Sequence, residues 1–308
     1  MNINIEQQVG ARFKLIARKA NTEEITQESA WFNNLVLDSG LSQMLTGSWS
    51  TLCMVGSGNS NPVASQTQLD AIVASTSTAQ GANVGGMQTT VEPYYHWIRR
   101  TFRFGEGAAA GNLREVGIGW ANNACWNRAL IRDANGNPTT LTILSDEYLD
   151  VVVEVRNYLT RTSTGSFNYL DKLGNVISTH TYTAKSFYSS AGTTLGTCSF
   201  MGFSAYSGSI TDDISNTITG NIPTGISGTT TIAGTIVAQF KKQSKPVITL
   251  TNGIGTLRSF LSRVIGIGVD AAGGGCGYKW QIEPPIVKDN TTELTFTISF
   301  TVGRYTGA

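Results

Sequence analysis

Apolar and polar residues alternate along most of the chain, and this pattern predicts β-strands. Residues 11–18 alternate apolar with basic side chains, as expected of a strand with one buried face. Residues 94–104 form an aromatic strand of the same kind, and 113–120 is a third candidate. The strongest strand pattern lies in 148–159, where β-branched residues are concentrated. A mainly β fold follows from these segments.

Helical spacing is confined to two short segments. Residues 41–45 fit a single helical turn. Residues 66–74 predict a short helix, because their apolar side chains fall on one face and Ser65 offers an N-cap. The Gly-, Ser- and Thr-rich segment 75–90 that follows is predicted to be a surface loop.

The end of the second half repeats the pattern at the end of the first half. Residues 263–269 resemble 114–120, and both segments contain a Gly-Ile-Gly triplet. Residues 293–305 resemble 147–158 in the same way. A divergent tandem duplication explains both similarities. The alternative is convergence of unrelated strands on one pattern.

The repeat divides the chain into two predicted domains, 1–160 and 161–308. We expect two tandem β-sandwich-like domains, of jelly-roll or Ig-like type, with one or two short helices. The second domain contains a Ser-, Thr- and Gly-rich stretch at about 186–240, in which Asp212 and Asp213 are the only charged residues. Strand edges without charge pair readily with other strands, so this stretch is interpreted as an assembly surface.

Charge narrows the possible functions. The net charge is +1 and only 14% of residues are charged, which excludes a coiled coil or a disordered chain. The basic cluster 99–103 is interpreted as the polar face of a strand, and the cluster 241–245 as a solvated loop. Neither favours binding to nucleic acid. The chain has no signal-peptide pattern and no long apolar stretch, so we expect cytoplasmic synthesis and no membrane span.

Cysteine and histidine spacing does not predict a metal or cofactor site. The cysteines, at positions 53, 125, 198 and 276, form no CxxC pair. They are expected to be buried apolar residues, although spacing alone leaves a disulfide open. His96 lies in an aromatic strand and is interpreted as structural, whereas His180 lies among threonines and is predicted to be at the surface.

Motifs of common enzymes are absent from the sequence. It contains no GxSxG elbow and no Walker A loop. The glycines of 117–119 and 266–268 lack a third glycine and a following helix, and they indicate a bulge or a close approach of strands. Residues 133–137 have some features of a calcium loop, but Asn-Gly favours a plain hairpin turn.

A carboxylate pair is the one remaining source of catalytic chemistry. Glu106 and Glu115 flank a glycine-rich loop and are weak candidates for the two acids of a glycosidase. We predict a protein that is not an enzyme, without catalytic, cofactor-binding or metal-binding residues.

Several segments of the first half resemble tail-associated virion structural proteins of tailed bacteriophages. The resemblance rests on residues 33–41, 55–62, 68–70, 104–119, 128–133 and 147–158. It covers roughly the first predicted domain. The second half is similar only in its glycine and C-terminal strand patterns. The resemblance implies a virion protein of the tail, the collar or neck, or the fibre attachment.

Such a protein is expected to bind itself, as a ring or trimer, and to bind other proteins of the tail, neck or fibre. One alternative is a receptor- or glycan-binding module at the tail tip, with Trp49, Trp120, Trp126 and Trp280 as stacking platforms for host glycans. Another is a capsid decoration protein. The alternative interpretation of these four tryptophans is that they are core or interface residues.

Overall fold

The computed structural model of the chain describes residues 2–171, 173–190, 192–221, 231–232, 234–268 and 275–307. Strands dominate this part of the chain, which confirms the mainly β prediction. The described residues include one helix, α1 (Asp38–Met44), which overlaps the helical turn predicted over 41–45.

The strands of the first half are β1 (Asn2–Lys19), β2 (Ile25–Glu28), β3 (Phe32–Asn33), β4 (Leu35–Val36), β5 (Leu52–Gly56), β6 (Ile72–Thr76), β7 (Val84–Gln88), β8 (Tyr95–Phe104), β9 (Gly111–Leu113), β10 (Glu115–Ala121), β11 (Ala124–Cys125), β12 (Asn127–Leu130), β13 (Leu141–Ile143) and β14 (Glu147–Leu159). Those of the second half are β15 (Thr162–Leu170), β16 (Val176–Tyr188), β17 (Leu195–Tyr206), β18 (Thr231–Ile232), β19 (Gly234–Ala238), β20 (Lys241–Ser244), β21 (Val247–Ile248), β22 (Gly255–Ile267), β23 (Cys276–Lys288), β24 (Leu294–Thr295) and β25 (Thr297–Arg304).

The largest sheet has nine strands among the described residues, and β1 lies in its middle. Its order is β19-β20-β25-β1-β14-β8-β7, and β2 and β3 also pair with β1. Strand β1 is antiparallel to β14 and parallel to β25. This sheet therefore contains strands from both sides of position 160.

Two six-stranded sheets complete the main framework of the described chain. One belongs to the first half, with the order β4-β12-β10-β5-β6 and β11 beside β10. The other belongs to the second half, with the order β15-β16-β23-β22-β17-β18. Two small pairs, β13-β9 and β21-β24, are added to these.

Strand β1 shows how the sequence pattern becomes a two-faced strand. Its odd-numbered residues from position 3 to 17 are buried, and they include Phe13 and Leu15 with no exposed surface. Arg12, Lys14 and Arg18 lie on the opposite face and keep part of their surface in solvent. The predicted alternation is confirmed, because successive residues of a strand point to opposite faces.

One cluster of buried apolar side chains extends through both halves. It includes Phe13 and Trp126 from the first half together with Phe260 and Trp280 from the second. Polar contacts also cross between the halves, and the Tyr278 hydroxyl donates to the carbonyl oxygen of Glu6 at 2.5 Å. The division into two domains at residue 160 stays a prediction. In the structure, the two halves share one sheet and one apolar core.

The helix predicted over 66–74 is wrong. Residues 72–76 form the edge strand β6, which pairs with β5. The backbone N–H groups of Asp70 and Ala71 donate to the carboxylate of Glu115, at 3.1 and 2.9 Å. Partners distant in sequence therefore occupy the backbone groups that a helix would pair internally.

Two predicted loops are also strands. The segment 75–90 contains the end of β6 and all of β7, which is the edge strand beside β8. The basic segment 241–245 contains β20, which lies between β19 and β25. Local polarity suggested loops here, but backbone pairing with neighbouring strands outweighs it.

The repeated segments occupy different places in the fold. Strands β14 and β25 lie in one sheet, on either side of β1 and with opposite orientations to it. Strands β10 and β22 lie in two different six-stranded sheets. The tandem duplication stays a hypothesis.

Candidate functional site

The two candidate catalytic carboxylates differ in their surroundings. Glu106 is exposed, whereas Glu115 has no exposed surface. The carboxylate of Glu115 accepts hydrogen bonds from Arg128 Nε at 2.8 Å and from the backbone N–H of Gly58 at 3.0 Å, in addition to those from residues 70 and 71. Both of its oxygens are occupied by protein donors, so Glu115 acts as an anchor for the surrounding loop.

Arg128 is the counter-ion of Glu115 and is equally buried. Its terminal nitrogens donate to Asp70 at 2.6 Å, to Gln66 at 2.9 Å and to Ser60 at 3.2 Å. Burial tends to raise the pKa of Asp70, but hydrogen bonds from Ser60 and the charge of Arg128 lower it below its usual value. This network attaches the loop before β6 to β10 and β12, and its hydrogen bonds compensate for burying two charges.

A cleft of about 580 Å³ lies beside this network. Its charged lining residues are Arg128, Arg132 and Asp133. Arg132 donates to the carbonyl oxygen of Gly136 at 2.6 Å, and Asp133 accepts two backbone N–H groups of its own turn. All three charged groups already have protein partners, so the cleft carries no argument for a ligand.

The turn at 133–137 confirms the hairpin interpretation. Asp133 Oδ1 accepts the N–H groups of Asn135 and Asn137, both at 2.9 Å. Gly136 has a φ of 82°, a conformation that glycine adopts without strain. The Asp133 side chain therefore stabilises the turn itself.

Three of the four candidate tryptophans belong to the core. Trp49, Trp126 and Trp280 have no exposed surface, and the rings of Trp49 and Trp126 are 4.6 Å apart. Trp280 packs on Phe260 with ring centroids 4.5 Å apart. Trp120 is half-buried. The core alternative is confirmed for the three buried rings, which cannot stack on a glycan from solvent.

All four cysteines are buried and unpaired, as expected of small apolar residues. Burial raises the pKa of Cys125, Cys198 and Cys276 to about 12, so their thiols stay protonated at neutral pH. Within the described ranges, no group of three or more His, Cys, Asp or Glu residues is placed to hold a metal ion.

The two histidines are both buried. His96 has no exposed surface, in agreement with its predicted structural place. His180 is only 3% exposed, so its predicted surface position is wrong. On β16 it shares a face with the buried Tyr182, while the neighbouring threonines face outward. Its ring stacks on Phe167, and its Nδ1 lies 2.6 Å from the carbonyl oxygen of Pro284.

The Gly-Ile-Gly triplet in β10 marks a close approach of strands, as predicted. A Cβ on Gly119 would lie 2.1 Å from the carbonyl oxygen of Ala124, and one on Gly117 would lie 2.5 Å from that of Asn127. The pairing of β10 with β11 also shifts register near this point. These glycines therefore have a structural role.

The outer face of β1, β14 and β8 concentrates charge, and we call it the arginine face. Cross-strand pairing places Arg12 on β1 and Arg99 on β8 on either side of Glu154 on β14. Arg103 donates to Asp150 through two bonds of 2.7 Å, and Arg18 lies 3.9 Å from the same carboxylate. The arginine face consists of Arg12, Arg18, Arg99, Arg103, Asp150, Glu154 and Arg156.

Three guanidinium groups converge on Glu154, and together these four residues form the Glu154 cluster. Arg12 binds both carboxylate oxygens, at 2.9 and 3.1 Å. Arg99 and Arg156 each donate through Nε, at 2.6 and 2.8 Å. Burial tends to raise the pKa of Glu154, but the hydrogen bonds from the three arginines lower it below its ordinary value. Glu154 is therefore ionised at neutral pH.

Aromatic rings support the arginines of the Glu154 cluster. The guanidinium carbon of Arg12 is 4.5 Å from the Trp31 ring, and that of Arg99 is 4.5 Å from the Trp97 ring. Arg156 lies 4.5 Å from the Tyr95 ring. Such stacking favours the charged form and restrains the side chain.

The nine-stranded sheet ends in two edge strands in the described part of the chain. Beside β7, Asn83 donates to the carbonyl oxygen of Thr193 at 3.0 Å. Strand β19 contains no charged residue, and Ile236 and Val237 are about half exposed, at 51% and 49%. Natural proteins commonly protect such edges with Lys or Pro, so β19 is a candidate surface for pairing with another chain.

The sequence indicated β19 but missed the arginine face. The low charge around 186–240 predicts an unprotected edge. The basic segment 99–103 was recognised as a polar strand face, but nothing local shows that Arg12 and Glu154 lie beside it. Positions 12 and 154 are 142 residues apart, and only sheet pairing brings them together.

No family model, curated protein or solved structure gives a significant match to this chain. No helix in the described ranges is long and apolar enough to cross a membrane.

Proposed function

We propose that the chain is a non-enzymatic structural protein of a tailed-bacteriophage virion, part of the tail, the collar or neck, or the fibre attachment. The observation that carries the proposal is the uncharged edge strand β19, whose apolar side chains are half exposed. Pairing of this edge with a second copy would bury Ile236 and Val237 and satisfy its backbone groups. The sequence resemblance to virion structural proteins supports the same proposal.

The surroundings of Glu106 and Glu115 favour a structural function over a glycosidase built on these two residues. Both oxygens of Glu115 are bound by backbone groups and Arg128, and Glu106 is exposed. Burial of Trp49, Trp126 and Trp280 also makes a glycan platform built from them less favourable than an assembly role. A ring or trimer of identical chains is the assembly that closed symmetry favours.

Quantitative mass spectrometry of purified virions tests this function. We expect a small, symmetric number of copies, about six to eighteen per particle, as ring symmetry at the tail or neck predicts. The major capsid and tail-tube proteins of the same particles provide the internal standard. Hundreds of copies would favour a capsid decoration protein, and absence from intact particles would overturn the proposal.

A further inference from the structure

The Glu154 cluster carries more positive charge than its carboxylate neutralises. Arg12, Arg99 and Arg156 all form ion pairs with Glu154, at distances from 2.6 to 2.9 Å. No other carboxylate in the described chain is ion-paired with these three arginines. Two positive charges therefore remain on this part of the sheet surface.

The excess charge is accessible from solvent. Side-chain exposure is 41% for Arg99, 27% for Arg12 and 21% for Arg156, compared with 2% for Glu154. A cleft of about 260 Å³ lies next to the cluster, and its lining includes Arg12, Arg156, Asn33, Asn34, Tyr158 and Tyr305. The cluster thus has a carboxylate at its base and guanidinium groups at its surface.

The hydrogen-bonding capacity of these arginines is only partly used. Arg99 donates to Glu154 through Nε alone, and its two terminal nitrogens have no hydrogen-bond acceptor among the described residues. Arg156 also reaches Glu154 through Nε, and the hydroxyl of Tyr158 further stabilises its charge. A guanidinium group with a free edge binds planar carboxylates or phosphates through paired hydrogen bonds.

The aromatic rings of this surface are already engaged. The Trp97 ring lies against Gly86 of β7, and a Cβ on that glycine would be 2.3 Å from the ring. The guanidinium group of Arg99 also stacks on the Trp97 ring. Tyr158 stacks on Tyr305 with ring centroids 3.7 Å apart. Bases and sugars are commonly held on open ring faces. Trp97 supports an arginine and the two tyrosines cover each other, which favours recognition of an anion over stacking.

We propose that the arginine face binds a carboxylate-bearing surface of a second protein, with Arg99 and Arg156 making the contacts. Charge complementarity selects this partner, because two unneutralised arginines match a local cluster of Asp or Glu side chains. Binding to nucleic acid needs many more phosphate contacts than two arginines can make. The inference goes beyond the proposed function, because it uses a different surface from β19 and does not require self-association.

A labelled oligoglutamate peptide, with fluorescence anisotropy at low salt as the readout, tests the inference on the full chain. We expect the wild-type chain to bind this peptide and not an oligoglutamine peptide of equal length. The double variant Arg99→Gln/Arg156→Gln should weaken binding by about tenfold or more, since it removes both charges that are proposed to contact the peptide carboxylates. Arg12 still binds both oxygens of Glu154 in this variant, so the fold should persist.

Arg258→Gln is the matched control. Arg258 is 37% exposed and paired with Glu283, so the substitution removes one charge, as the single variant Arg99→Gln does, from an ion pair away from the arginine face. The single variant Arg99→Gln separates an effect on binding from an effect on stability. Arg99 is the most exposed of the three arginines in the Glu154 cluster, so its replacement should affect stability least. Wild-type chain that does not bind oligoglutamate would overturn the inference, as would Arg258→Gln weakening the binding as much as Arg99→Gln does. Tighter binding of oligothymidylate or oligogalacturonate would replace it with a nucleic-acid or a glycan partner.

Discussion

At the scale of single residues, His96 is a fully buried histidine whose pKa differs between the folded and the unfolded chain. Burial lowers the pKa of His96 to about 4, and the backbone of Gly192 offsets only part of this effect. Neither ring nitrogen makes a hydrogen bond of ordinary geometry in the described part of the chain. The folded chain therefore keeps the ring neutral, while the unfolded chain protonates it near pH 6.5.

This difference makes stability depend on pH. Above about pH 6.5 the ring is neutral in both states, and between about pH 6.5 and 4 only the unfolded chain binds the proton, so stability falls as pH falls. From about pH 7.5 to about pH 5 we expect His96 to account for a loss of about 2 kcal/mol in the free energy of unfolding. Denaturant titration of the wild-type chain and the His96→Gln variant at both pH values measures it. Equal losses in the two proteins would contradict this prediction.

At the scale of secondary-structure elements, β19 is one of the two edge strands of the nine-stranded sheet in the described part of the chain, and it carries no charged residue. Replacing Ile236 by Lys adds a charge to this edge, which should oppose pairing with a second copy. We expect self-association to weaken at least about tenfold, as measured by sedimentation velocity over a range of concentrations. Because Ile236 is half exposed, the monomer should remain folded.

Leu173→Lys is the control for this experiment. Leu173 is 88% exposed in the turn between β15 and β16, which belong to a different sheet from β19. Leu173→Lys introduces the same charge as Ile236→Lys at an exposed apolar residue, and it should leave self-association unchanged. A wild-type chain that stays monomeric at all concentrations would exclude assembly through β19.

At the scale of the whole molecule, β1 and β25 tie the two ends of the chain together. Ile298 of β25 is fully buried and pairs with Ile3 of β1. Ile298→Ala should reduce the free energy of unfolding by about 2–5 kcal/mol through loss of buried surface and creation of a cavity. Because sheet and core cross position 160, we expect one unfolding transition in calorimetry, shifted as a whole to lower temperature.

Leu173→Ala removes a side chain of similar size from an exposed position of the second half and should leave the transition unchanged. Two separate transitions, of which Ile298→Ala lowers only one, would instead favour two independently folding domains at the predicted boundary.

Local pattern was sufficient wherever a strand has one buried and one open face. Alternation identified β1 and β8 because the backbone sends successive side chains to opposite faces whatever the strand pairs with. The same rule interpreted Arg99 and Arg103 as the open face of a strand. The concentration of β-branched residues identified β14, which is buried on both faces. Local pattern failed at 66–74, where helical spacing predicts a helix. There Glu115 binds the backbone N–H groups of two of these residues.

The sequence alone determined the β class, the turn at 133–137, the close strand approach at Gly119 and the low charge of the stretch containing β19. These features depend on neighbouring residues or on composition. Tertiary structure decided the pairing of β1 with β25, the burial of His180 and the Glu154 cluster. They depend on contacts between residues far apart in sequence, such as positions 12 and 154, whose proximity is set by strand order and register.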